Sequence, residues 1–237
     1  MAYTPVYKET IEAGDVIAVG DIHGRSDLLS VFLDSVRDTQ ATVILLGDLI
    51  DRGPDDAGVL DRVKQLLDDP ESWGLQSAHC LIGNHERMML DASEGRMGDL
   101  RLWAQNGGNL SRSVMEHAPW VADLPLYMVV GDTLFVHAGI HPGKDPEPYT
   151  KTRTLREQLL WMREPFLSKG PMFPLWNPRL RRCVHGHTPY LDEERFGTVN
   201  VSATGDRVGI DTAAVYSGIL TSYNVTRNTF AKHTVNV

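Results

Sequence analysis

The sequence predicts an α/β fold, and two observations carry that expectation. Short apolar runs alternate with amphipathic helical patterns three times between residues 16 and 93, and each run ends in a glycine followed directly by Asp or Asn. Alternation of this kind implies parallel strands joined by crossover helices. Such sheets present functional side chains at the carboxyl ends of their strands, where glycine lets the backbone turn sharply.

In chain order, Val16–Val19 is the first expected strand. The segment 26–38 is the first helix, with Ser26 as N-cap and Leu28, Leu29, Phe32, Leu33 and Val36 on one face. A strand over 42–46 precedes a helix on which Val59, Leu60, Val63, Leu66 and Leu67 recur at helical spacing. A third strand within 78–86 runs into "RMMLDAS". Residues 96–122 read as mainly helical, with Trp103, Leu110 and Val114 facing inward and "NGGN" at 106–109 as an interruption. The stretch "LYMVVGDTLFVHAGI" reads as two strands joined through Gly131 and Asp132, a hairpin signal. Residues 141–180 are rich in Pro and Gly apart from the helical "TLREQLLWMREPFL", and strands return in "RRCVHGHTPY" and in the alternating tail 218–235. No internal repeat, low-complexity tract or long linker interrupts the chain, so a single domain over 1–237 is expected.

A chain of 237 residues, 42% hydrophobic and 23% charged, can bury a sizeable core. Its net charge of -8 argues against non-specific attraction to nucleic acid or an anionic membrane. Cys80 and Cys183 each lie in an apolar stretch, which suits buried reduced thiols and a cytoplasmic setting. The amino terminus lacks the basic and apolar regions of an export signal, and no stretch approaches the roughly 18 to 20 apolar residues of a membrane span. A soluble, unexported protein is expected.

In chain order the strand ends are "GDIHG" (20–24), "GDLIDRG" (47–53), "GNHE" (83–86), "HAG" (137–139) and "GHT" (186–188). Parallel strands bring their carboxyl ends to one sheet edge, so these Asp, Asn and His side chains can converge. Carboxylate oxygens mixed with imidazole nitrogens suit Mn²⁺, Fe or Zn²⁺, whereas Ca²⁺ and Mg²⁺ sites are dominated by oxygen.

As a set, these motifs resemble those of the phosphoprotein phosphatase family of metallophosphoesterases, in particular its bacterial serine/threonine protein phosphatase branch, from residue 16 to about 220. The resemblance implies a calcineurin-like fold, a central β-sandwich flanked by α-helices with a dinuclear metal centre at its edge. It implies that Asp21, His23 and Asp48 hold one divalent ion, that Asp48, Asn84, His137 and His187 hold the second, and that Asp48 bridges both. Mn²⁺ is the expected ion, with Fe or Zn²⁺ as alternatives. The implied activity is a serine/threonine protein phosphatase, a metal-dependent phosphomonoesterase in which hydroxide formed on the two ions attacks a phosphorylated protein or a small phosphoester.

His85 matches the general acid of the family, and Asp51 is placed to hydrogen-bond it and hold its tautomer. Arg52, in the loop of Asp48, is the expected clamp for the equatorial phosphoryl oxygens. Arg163, in the helical "LLWMREPF", resembles a second phosphate-binding arginine of bacterial relatives. The alternative activity is that of the symmetrical bis(nucleosyl)-tetraphosphatases, which use the same chemistry on a phosphoanhydride. Glu86 after "GNH" and Thr188-Pro189 after the last ligand look more like the protein phosphatase pattern. The chain departs from its relatives at Leu81-Ile82, where eukaryotic members carry an arginine, and at Ala213, where bacterial members often have glycine. His185 is expected to support the ligand His187 from behind or to be structural, and Trp103, Trp161 and Trp176 to be core residues.

Overall fold

Residues 6–8, 14–108, 110–146, 152–169 and 179–235 are described by a computed structural model. Strand β1 (Val6–Lys8) precedes three strand–helix units: β2 (Val16–Val19) with α1 (Ser26–Val36), β3 (Thr42–Leu45) with α2 (Asp56–Asp68), and β4 (Ser77–Cys80) with α3 (Asn84–Ser93). Helices α4 (Met97–Gln105), α5 (Arg112–Met115) and α6 (Ala118–Val121) lead into β5 (Tyr127–Val130) and β6 (Thr133–Val136). Then follow α7 (Arg153–Trp161), β7 (Arg182–His185), β8 (Asn200–Val201), β9 (Arg207–Gly209), α8 (Ala214–Ser217), β10 (Leu220–Asn224) and β11 (Thr229–His233).

The three units form parallel strands, with Val16 opposite Thr42 and Thr42 opposite Ser77. Antiparallel β10 and β11 complete a five-stranded sheet, order β11-β10-β2-β3-β4. The other sheet runs β1-β5-β6-β7-β9-β8. Its β5–β6 hairpin turns at Gly131 (φ 59°), and β6, β7 and β9 are parallel.

Alternate residues of each strand face opposite ways, and here both faces are covered. Val16, Ala18 and Ile44 of one sheet pack with Met128, Phe135 and Val184 of the other, forming the layer between the sheets. Ile17, Val19 and Val43 point outward onto Leu28, Leu29 and Phe32 of α1 and Val59, Leu60 and Val63 of α2. Strands buried on both faces read as unbroken apolar runs. Burial of each such side chain contributes roughly 1.5 to 3 kcal/mol. The result is two mixed sheets face to face with helices outside, the sandwich that the motifs implied.

Several local expectations change. Ser26 is the first residue of α1, and Arg25 occupies the cap position without a side-chain cap bond. The Arg25 guanidinium instead bonds its neighbour Asp27 and the carbonyl of Ala214, the second a long-range bond that no local pattern reveals. Leu110 is 58% exposed, because Trp103 and Val114 fill the inward positions on either side of the interruption. Helix α7 stops at Trp161. Pro165 lies just beyond it, and proline disfavours helix both at its own position and at the residue before it. Arg163 therefore sits in a loop rather than on a helix. Trp176 lies outside the described residues. Cys80 and Cys183 are buried and unbridged, and burial pushes both thiols up. No helix among the described residues is long and apolar enough to cross a membrane.

Candidate active site

The strand-end motifs converge, but across two sheets rather than along one edge. Asp21, Asp48 and Asn84 follow β2, β3 and β4, whereas His137 and His187 follow β6 and β7 of the facing sheet. Six of the nine described non-glycine residues with positive φ lie here: His23, Asp48, Asp51, Arg52, His187 and Ala213. Such backbone costs on the order of 1 to 3 kcal/mol per residue and persists where surrounding contacts enforce it. Two glycines permit the close packing. A Cβ on Gly186 would lie 2.0 Å from Asp21 Oδ1, and one on Gly83 would lie 2.2 Å from Asp48 Oδ1.

Hydrogen bonds fix the tautomers of two imidazoles. His23 Nδ1 meets the carbonyl of Ile50 at 2.9 Å, and His137 Nδ1 meets that of Leu46 at 2.9 Å. A carbonyl only accepts, so each Nδ1 carries the proton and each Nε2 presents a lone pair. The His23 lone pair takes an N–H of Arg52, and both lone pairs also face further acceptors. His23 Nε2 is 3.6 Å from Asp48 Oδ2, while His137 Nε2 is 3.3 Å from Asp48 Oδ1 and 2.9 Å from Asn84 Oδ1. His187 Nδ1 is 2.8 Å from the same Asn84 oxygen, and its buried Nε2 has no hydrogen-bond partner. Lone pairs turned toward one another in a buried site fit cations, and backbone carbonyls on the far ring nitrogens are a usual support for metal-binding histidines.

Burial works against ionising Asp48, but His137, His85, His23 and His187 outweigh it and hold its carboxyl well below the usual range. Burial lowers His23 to about 4, with His85 and Arg52 adding to the effect, and it also lowers His137 and His187. One donor atom each of His23, Asp48 and His85 lies within 4.8 Å of the others, and the same holds for Asp48, His137 and His187. Asp48 is common to both groups. Asp21 belongs to neither; its carboxylate accepts the backbone N–H of His187, at 3.2 and 3.0 Å. Burial, then Asp211 and Asp48, push the Asp21 carboxyl up.

His85 differs from the other imidazoles because its Nδ1 meets a carboxylate, Asp51 Oδ2, at 2.6 Å. Its Nε2 is buried, unpartnered and 4.0 Å from Asp48 Oδ2. Burial opposes its protonation, but Asp48 and the bond to Asp51 prevail and raise its pKa. A cavity of about 440 Å³ opens beside these groups, lined by Asp48, Asn84, His85 and His187 as well as Arg52 and Arg163. Arg52 Nη1 lies 2.8 Å from His23 Nε2. His185 stays outside, bonded to the Gly186 carbonyl and packed edge-on against Phe166, because the chain turns at His187 (φ 69°) instead of continuing the strand. Trp161 lines the cavity and meets His187 edge to face, so it is not a plain core residue.

Four further residues support the site. Glu86, wholly buried, accepts the backbone N–H groups of Gly83, Asp48 and Leu49, each at 2.8 Å, and so ties the Asp48 turn to the start of α3. Burial and then Asp48 raise it to about 7. Its place three residues after Gly83 is the spacing of half a capping box, a signal visible in the sequence. Asp56 accepts the Asp51 N–H at 2.8 Å and is raised to about 6, chiefly by burial. Asp211 accepts the Ala213 N–H at 2.9 Å and is raised to about 7 by burial, with Asp48 adding. Trp103, correctly placed in the core, also donates its indole N–H to Asp51.

Ala213 holds a left-handed turn (φ 55°, ψ 47°) at the cavity wall. Left-handed backbone costs an L-residue roughly 1 to 2 kcal/mol, and glycine avoids that cost at an entropic penalty of roughly 0.5 to 1 kcal/mol. Ala213→Gly is therefore expected to raise the thermal midpoint by about 1 to 4 °C. A fall of several degrees would show that packing of the methyl group outweighs the strain.

This is the fold of a metallophosphoesterase, with candidate metal ligands gathered at its strand ends. Residues 14–208 match the family model of the calcineurin-like phosphoesterases, and the chain belongs to that family. It is 31% identical over 220 residues to "Serine/threonine-protein phosphatase 1" of Salmonella typhimurium, covering 87% of this chain and 89% of that protein. It is 33% identical over 173 residues to the symmetrical bis(5'-nucleosyl)-tetraphosphatase of an Acidovorax species, covering 69% of this chain and 59% of that protein. Among solved structures, a proposed diadenosine tetraphosphatase superposes with a TM-score of 0.69 at 22% identity, covering 99% of this chain and all of that one. The chain is thus a phosphoester hydrolase with a candidate dinuclear centre.

Proposed function

We propose that this phosphoesterase is a phosphomonoesterase acting on phosphorylated serine and threonine in proteins. One observation carries the reading: a single cavity is lined by two arginines, Arg52 and Arg163, together with Asp48 and with His85, whose Nε2 is unpartnered. The likeness to a serine/threonine-protein phosphatase over 89% of that relative's length supports the substrate class.

In this reading Asp21, His23 and Asp48 hold one divalent ion, and Asp48, Asn84, His137 and His187 hold the other. Mn²⁺ comes first, with Fe or Zn²⁺ as alternatives, because imidazole and amide donors suit a softer ion than Mg²⁺. When bound, the pair supplies Lewis acidity toward phosphoryl oxygens and lowers the pKa of water. The chain's own groups do the rest. Arg52 turns from His23 into the cavity and clamps the equatorial phosphoryl oxygens, with Arg163 as a second clamp. Asp51 holds His85 Nδ1, so that Nε2 donates a proton to the leaving oxygen.

Arg52→Ala is expected to keep its metal and lose kcat/KM on phosphomonoesters by roughly 10- to 150-fold, the equivalent of a charge-assisted hydrogen bond of about 1.5 to 3 kcal/mol. Unchanged kinetics would return Arg52 to a role in the loop alone. The substrate class is tested by assaying the metal-loaded protein on phosphoserine, phosphothreonine and phosphotyrosine peptides, nucleotides and diadenosine tetraphosphate. The highest kcat/KM is expected on phosphoserine and phosphothreonine, with turnover abolished by a chelator and restored better by Mn²⁺ than by Mg²⁺. The likeness to a symmetrical bis(5'-nucleosyl)-tetraphosphatase favours a second reading, hydrolysis of a dinucleoside polyphosphate. Rapid turnover of diadenosine tetraphosphate with inert phosphopeptides would replace the first reading by the second.

A further inference from the structure

Helix α4 contributes no residue to the strand-end motifs, yet its Trp103 touches one of them through Asp51. Trp103 is wholly buried, and its Nε1–H donates to both oxygens of Asp51, 3.0 Å to Oδ1 and 2.8 Å to Oδ2. The same Oδ2 meets His85 Nδ1 at 2.6 Å. The indole is itself tightly held, since a Cβ on Gly108 would lie 2.5 Å from its Cγ and Cδ2. The next turn of chain touches the site as well: Asn106 lines the cavity, and a Cβ on Gly107 would lie 3.0 Å from the Arg52 nitrogen.

The terminal torsion of an aspartate is soft, so one bond to His85 leaves the carboxylate free to rotate. A donor shared by both oxygens removes that freedom. The backbone of Asp51 is fixed separately by Asp56, which leaves side-chain rotation as the degree of freedom that Trp103 controls.

We propose that Trp103 is a positioning residue of the active site: its indole N–H sets the rotation of the Asp51 carboxylate, which in turn aims His85 Nε2 into the cavity. The proposal rests on the reading of His85 as the proton donor. A tryptophan that only filled the core would affect all substrates alike. One that aims the proton donor affects substrates according to how much their leaving group needs the proton.

The test compares Trp103→Phe with the unchanged protein on a phosphoserine peptide and on p-nitrophenyl phosphate, with metal content measured in parallel. The variant is expected to keep its metal and to lose kcat on phosphoserine by about tenfold and on the aryl phosphate by less than about twofold. In an Asp51→Ala background, adding Trp103→Phe is expected to change kcat on phosphoserine by less than about twofold, because the route through Asp51 is already cut. Equal losses on both substrates, no loss on either, or a full further loss in the Asp51→Ala background would each overturn the proposal. If phenylalanine prevents folding, benzothienylalanine at position 103 keeps the shape, deletes only the N–H and makes the same comparison. His85→Asn, measured alongside, separates the two possible failures. If it lacks the leaving-group dependence, the proton-donor reading falls and this proposal with it; if it shows the dependence and Trp103→Phe does not, only this proposal falls.

Discussion

His85→Asn is expected to retain its metal while kcat on phosphoserine falls by about 10² to 10⁴, the usual contribution of general acid catalysis. The loss should depend on the leaving group. Serine departs as a strongly basic alkoxide and needs the proton, whereas p-nitrophenolate is stable without it, so the aryl ester should lose far less where chemistry limits turnover. The geometry makes metal content an informative control, because His85 Nε2 lies 4.0 Å from Asp48 and within one group of possible ligands with His23. Its Nδ1 is bonded to Asp51 rather than to a carbonyl, which sets it apart from His23 and His137. Loss of metal in His85→Asn would make it a ligand. Comparable losses on both substrates with metal retained would make it a group that positions the phosphoryl unit.

Asp48→Asn is expected to weaken both metal positions and Asp21→Asn mainly one. Asp48 lies within 3.3 to 4.0 Å of His137, His23 and His85, and it is shared by both donor groups. Asparagine keeps the shape and an acceptor for the His85 backbone N–H, now 3.1 Å from Asp48 Oδ1, but it removes the charge that can bridge two cations. The loss of affinity at both positions should exceed the roughly 10- to 100-fold that outer supporting contacts command. Metal analysis of the two purified proteins decides the matter, and equal loss at both positions in each would place the bridge elsewhere.

Much of this arrangement was legible because it is written locally. Strands β2 and β3 are buried on both faces and so appear as apolar runs, and a glycine followed by Asp or Asn marks where each of β2, β3 and β4 delivers its side chain. Glycine at positions 83 and 186 is what lets the Asp48 and Asp21 carboxylates lie against the backbone. Strands β1, β8 and β9 escaped because they span only two or three residues, too few to show a period. The cap of α1, the loop position of Arg163 and the convergence across two sheets depend on contacts between distant segments. Trp103 was legible as a core residue from its helical spacing, but the partner of its indole N–H lies 52 residues away and no local pattern names it.

The central claim is a pair of metal positions sharing Asp48. Crystals grown with Mn²⁺ and measured on both sides of the manganese absorption edge test it most directly. Two anomalous peaks are expected flanking the Asp48 carboxylate, one on the side of His23 and the other on the side of Asn84, His137 and His187. A single peak, or peaks remote from Asp48, would contradict it.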